Sequence, residues 1–192
     1  MKCCSFISLT IIVALVSLAA TQTVAKTGFA VGGGFGYARG TGDLDDLEGY
    51  LIPLIGEYEL SSTFALRTYF GRSSIDYGCD SGYFCTTSIE HTYLTINGVA
   101  YARPFYATAG LGYYDTRIEH ECKLFGDCLV DDDLRDPGVN IGAGLDFPVG
   151  SSRTVHLFTE VTFHHILLYD RDLGEDLEDG ELFATGGLKL HF

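Results

Sequence analysis

Residues 104–114 read PFYATAGLGYY. Phe105, Ala107, Ala109, Leu111 and Tyr113 alternate with Tyr106, Thr108, Gly110, Gly112 and Tyr114. A period of two is the signature of a β-strand. The second face decides what kind of strand it is. A half-buried strand of a soluble sandwich turns its polar face to water. Here that face carries glycine, threonine and tyrosine, which suits the crowded interior of a small closed barrel. The apolar face then looks at lipid, and about ten residues are enough to cross a bilayer when the strand is tilted.

Seven further segments repeat the pattern. Phe29, Val31, Phe35 and Tyr37 alternate with Ala30, Gly32, Gly34 and Gly36. Tyr50, Ile52, Leu54, Tyr58 and Leu60 oppose Glu57 and Glu59. Phe64, Leu66 and Phe70 oppose Arg67, Tyr69 and Gly71. Between residues 88 and 101, Leu94, Ile96, Gly98 and Ala100 are expected outside, with His91, Thr95 and Asn97 inside. Val139, Ile141, Ala143, Leu145 and Phe147 oppose Asn140, Gly142, Gly144 and Asp146. Val155, Leu157, Val161 and Phe163 oppose His156, Glu160, Thr162 and His164. Leu182, Ala184, Gly186, Leu188, Leu190 and Phe192 oppose Thr185, Gly187, Lys189 and His191. Closing such strands on one another satisfies every backbone group, which an open sheet in lipid would not.

The connections alternate in length. Ser61-Ser62, Ala102-Arg103-Pro104 and Pro148 to Ser152 are short; Gly40 to Glu48, Arg72 to Thr87, Thr116 to Asp136 and Tyr169 to Glu181 are long. The windows 40–48, 76–90, 115–136 and 170–181 hold 22 of the 26 acidic residues and only Arg117, Lys123, Arg135 and Arg171 as cations, a net charge of −18. The long connections therefore form an acidic surface. With −14 for the whole chain, binding to nucleic acid or charge-driven docking on anionic lipid is excluded.

Residues 1–25 read as a secretory signal: Lys2, an apolar run through Ile11, Ile12, Val13, Leu15 and Val16, and small residues offering cleavage after Ala20 or Ala25. Residues 26–192 form the barrel domain. Cys3 and Cys4 leave with the signal, and Cys79, Cys85, Cys122 and Cys128 remain. An even count in an exported chain favours disulfides over zinc, whose usual ligand spacing is tighter than C-x5-C. Four cysteines allow three connectivities. The expected one is Cys79–Cys85 and Cys122–Cys128, each clipping one long loop.

The signal, the eight alternating strands, the loop asymmetry and the close on Gly187-Leu188-Lys189-Leu190-His191-Phe192 together resemble the small eight-stranded outer-membrane barrels of the OmpA transmembrane-domain and OmpX/Ail type. The resemblance covers the whole mature chain. It implies an all-β, eight-stranded antiparallel up-and-down transmembrane β-barrel in the bacterial outer membrane. Its short turns and termini would be periplasmic and its long loops extracellular. It also implies outer-membrane lipid and lipopolysaccharide as surroundings. Gly187, Leu188, Leu190 and Phe192 look like the terminal signal that the barrel-assembly machinery reads.

Inward charges are the first candidate site. Glu57, Glu59, Asp146 and Glu160 share the lumen with Arg67 and Lys189. A turn centred on Ser61-Ser62 sets Glu57 opposite Arg67, and a last hairpin centred near residue 174 sets Glu160 opposite Lys189. Ion pairs there plug a narrow barrel; a narrow porin-like channel for small cations or solutes is the alternative. Glu160 and His164 share a face, the one arrangement suggesting a lipid-modifying enzyme. The His/Ser/Glu pattern of outer-membrane lipid A deacylases puts Ser two residues after His, where Ile166 and Leu167 stand, so no catalytic residue is assigned. Asp170, Asp172 and Asp176 around Gly174 follow a calcium loop only loosely and are weak metal candidates. No cofactor is expected. The reading is a non-catalytic surface barrel whose acidic, disulfide-clipped loops meet a host or surface ligand, or sustain the envelope.

Overall fold

The computed structural model describes residues 28–42, 47–78, 85–122, 130–150, 154–169 and 176–192. They form eight strands: β1 (Gly28–Gly42), β2 (Glu48–Glu59), β3 (Phe64–Gly78), β4 (Cys85–Ala102), β5 (Phe105–Cys122), β6 (Val130–Val149), β7 (Val155–Tyr169) and β8 (Asp176–His191). Each pairs antiparallel with the next, and β1 pairs with β8 to close the barrel.

The faces are those that the alternation predicts. Leu111 is 69% exposed, Phe105 62% and Ile141 61%, while Tyr106, Thr108 and Tyr114 are buried. On β4, Leu94 and Ile96 face out and His91, Thr95 and Asn97 face in, as expected. Exposed aromatics mark two levels. Phe29 and Tyr37 on β1, Tyr58 and Tyr50 on β2, and Phe105 and Tyr113 on β5 each lie eight residues apart. Eight residues span about 26 Å along a strand, or about 20 Å of height at the usual tilt. That is close to the apolar band of a membrane barrel between its aromatic girdles.

Glycines on the inner face make room for what fills the inside. A Cβ added at Gly32 of β1 would lie 2.8 Å from the Lys189 Cγ, and one at Gly144 of β6 would lie 2.5 Å from the Tyr106 ring. Bulk at either position would collide with side chains that the lumen needs.

Two expectations change. The strands run past the expected loops: Asp131, Asp132 and Asp133 pair in register with Glu119, Ile118 and Arg117, and Asp176 to Glu181 belong to β8. Apolar alternation stops where lipid stops, but a hairpin ladder continues in water without it. The β7–β8 register also differs. Glu160 faces Thr185, and Lys189 faces His156, because the hairpin axis lies nearer the N-terminal side than residue 174. Pro53 and Pro137 interrupt the wall. The β1–β2 register skips the positions opposite Pro53, and the β6–β7 ladder begins at Gly138↔Ile166, one residue after Pro137. Proline has no N–H to give to a ladder.

Candidate functional site: the filled lumen

Inward positions from β2 to β8 build three levels of polar contact. The middle level centres on Arg67, which is fully buried. Its Nε donates to Glu57 Oε2 at 2.6 Å and its Nη1 to Glu160 Oε2 at 2.8 Å, so one guanidinium joins β2 to β7 across the lumen. Nη1 and Nη2 also donate to the hydroxyls of Tyr69 and Tyr101, each at 2.8 Å. Those hydroxyls pass the bond on, Tyr69 to Glu160 at 2.7 Å and Tyr101 to Glu57 at 2.5 Å. The Tyr106 ring lies 4.5 Å from the guanidinium carbon. A buried charge must be paired and hydrogen-bonded, and four partners do this here, with the Tyr106 ring packed beside them.

The level below, toward the short turns, centres on Lys189. Its Nζ donates to Asp146 Oδ2 at 2.6 Å, Tyr101 at 3.2 Å and Glu57 at 3.3 Å. Asp146 Oδ1 accepts from His156 Nδ1 at 2.6 Å. Five of the six charged residues expected in the lumen thus form one connected network. Glu59 sits apart at the mouth, bonded to Arg103 at 2.6 Å.

The third level, toward the long hairpins, joins His91, Tyr114 and His164, which the alternation turns inward, to Thr116 and Glu181, which it does not reach. His91 lies between Thr116, at 2.8 Å from Nδ1, and Glu181, at 2.8 Å from Nε2. Tyr114 and His164 Nδ1 meet at 2.6 Å. Thr116 and Glu181 fell in stretches read as loops; the inward step of two from Tyr114 to Thr116, and from Phe183 back to Glu181, was the available signal. The hydroxyl near His164 is thus the Tyr114 phenol. The hydroxyl–imidazole–carboxylate row through His91 is almost wholly shut from solvent. A small cavity between the upper two levels is lined by Asn97, Asn140, Glu160, Thr162 and His164 together with the apolar side chains of Leu51 and Phe183.

The remaining candidates are placed only in part. Cys79, Cys128, Asp170 and Asp172 lie outside the described residues, and of Asp176 only the backbone is described. Cys85 and Cys122 stand opposite each other as the last pair of the β4–β5 ladder. Leu188, Leu190 and Phe192 are exposed on the outer wall, beside Gly187 on the lumen side.

A filled, closed eight-stranded wall with a lipid-facing exterior matches one family. The family model described as outer membrane protein beta-barrel domain covers residues 8–186. The chain belongs to that family. Membership places this outer-membrane barrel in the bacterial outer membrane, surrounded by its lipid. Solved structures with the same fold include a major outer membrane protein from Thermus thermophilus, at 12% identity and TM-score 0.61, covering 87% of this chain and 100% of the other. The Yersinia pestis attachment invasion locus protein Ail, solved with the heparin analogue sucrose octasulfate, gives 13% identity and TM-score 0.57 over 86% of this chain and 99% of the other. Neisserial surface protein A gives 12% and 0.54 over 85% and 97%. Among curated proteins none matches the chain in sequence.

Proposed function

We propose that this outer-membrane barrel is a plugged, non-catalytic surface protein. The carrying observation is the Arg67 network, which ties β2, β3, β4 and β7 together across the lumen through buried charges, with one guanidinium shared by two carboxylates. Eight strands leave an interior just wide enough for side chains, and here those side chains are bonded to one another. Planar-bilayer recording tests this directly. The purified barrel should insert without discrete current steps; steady cation-selective steps from the unmodified protein would favour the narrow channel instead.

In this reading the termini and short turns are periplasmic, residues 1–25 are a removed signal, and the acidic hairpins stand outside the cell. Leu188, Leu190 and Phe192 serve assembly by the barrel-insertion machinery. Ail was solved with a polyanion. Hairpin windows of net charge −18 would repel such a ligand, so the partner here is neutral or cationic, or is lipopolysaccharide sharing divalent ions with the Asp170, Asp172 and Asp176 run.

The hairpins are stiffened by disulfides, and one observation bears on their pairing. Clips at Cys79–Cys85 and Cys122–Cys128 were expected from spacing. The register instead sets Cys85 beside Cys122, and facing positions on an antiparallel pair are about 4.5–5.5 Å apart at Cα, within disulfide range. The second reading is therefore Cys85–Cys122, which leaves Cys79 for Cys128. Mass spectrometry of non-reduced peptides should find a peptide joining residue 85 to residue 122; recovery of the two seven-residue clips alone would restore the first reading.

A further inference from the structure

The geometry points to a first-row transition-metal site at the short-turn mouth of the lumen, held by Asp146 of β6, His156 of β7 and His191 of β8. One ligand atom from each of the three lies within 4.8 Å of the other two. In a tetrahedral zinc site, with bonds of 2.0–2.2 Å, ligand atoms stand about 3.3–3.5 Å apart. Side-chain shifts of about an ångström therefore close the shell.

Three further features support a site rather than a chance cluster. The His191 Nε2 is buried and has no hydrogen-bond partner, although a buried polar atom normally has one. The His156 and His191 rings lie 4.0 Å apart, so both imidazoles address the same space. The charges of the connected network are also uneven. Glu57, Glu160 and Asp146 face only Arg67 and Lys189, and Asp146 makes its second contact with an imidazole. A bound cation supplies the missing positive charge.

Lys189 does not occupy the site. It holds Asp146 through Oδ2, while Oδ1 faces His156. The metal would take the place of the proton now shared between His156 Nδ1 and Asp146 Oδ1, with that proton released or moved to Nε2. Two imidazoles and one carboxylate suit zinc, copper or nickel; calcium and magnesium prefer all-oxygen shells. Glu59, paired with Arg103, lies 4.0 Å from His191 Nδ1 at the rim. Bound there, the ion would fasten three neighbouring strands at the end where the last strand finishes.

Zinc itself is the probe. The full mature chain, without a polyhistidine tag, is refolded in detergent and titrated calorimetrically and against a chromophoric chelator. One zinc per chain is expected at about pH 7.5. His191→Ala should weaken zinc binding at least ~10-fold, with folding checked by the heat-dependent gel shift. Should that variant fail to fold, copper bound to the unmodified barrel reads the same point: its paramagnetic resonance should carry coupling to two imidazole nitrogens. No stoichiometric zinc uptake, equal affinity in His191→Ala, or a copper spectrum without imidazole nitrogen would each overturn the site.

Discussion

Arg67→Ala is expected to destabilise the folded barrel by about 3–5 kcal/mol, the usual cost of breaking a buried pair and stranding its partner. The upper part of that range is the better expectation, because one guanidinium serves two carboxylates. Without it, Glu57 keeps Lys189 at 3.3 Å and Tyr101 at 2.5 Å, but Glu160 keeps only Tyr69 among the described contacts. Urea unfolding in detergent micelles, followed by circular dichroism, measures the loss. A second variant separates charge from packing. Arg67→Met with Glu57→Gln and Glu160→Gln leaves no charge stranded at this level, and should recover a good part of the stability. An unchanged midpoint in Arg67→Ala would mean that the network does not hold the barrel, and the plug reading would lose its main support.

Ile141→Arg should cost about 2–4 kcal/mol in a bilayer, since an arginine at the lipid midplane of a membrane barrel carries that penalty. The position is 61% exposed. On a soluble protein such a surface change would fall within about 0.5 kcal/mol of neutral. Ile141 lies in register with Ala109, midway between Phe105 and Tyr113 of the two aromatic levels. Phe64→Arg, near the short-turn girdle, should cost only about 0–1 kcal/mol. Equal, small effects at both positions in lipid vesicles would show that the apolar face is not immersed.

The wall is legible in the sequence because lipid and lumen ask for opposite chemistries at every second residue. Even β4, whose alternation is weak, reads correctly, since His91, Thr95 and Asn97 fall on one parity. Contacts across the lumen are not legible. Lys189 meets Asp146 from a strand that is not its neighbour, and hairpin geometry says nothing about such pairs. The β7–β8 hairpin fails for a related reason. Its acidic tip carries no apolar alternation, so nothing fixes where the chain reverses. The same loss of alternation hides Thr116 and Glu181, whose strands continue beyond the lipid.

Pro137 also sets how deep the barrel sits. Above Gly138 and Ile166 the β6–β7 ladder is absent among the described residues, and backbone groups left open along that seam need water. Hydrocarbon cannot supply it, so the outer edge of the oily layer has to stop at or below this point. Pro137 is in register with Tyr113, one of the exposed aromatics of the upper level. The unzipped seam and the tyrosine thus mark the same waterline. A bilayer too thick to respect it would have to thin around the protein, tilt it or pry the seam wider.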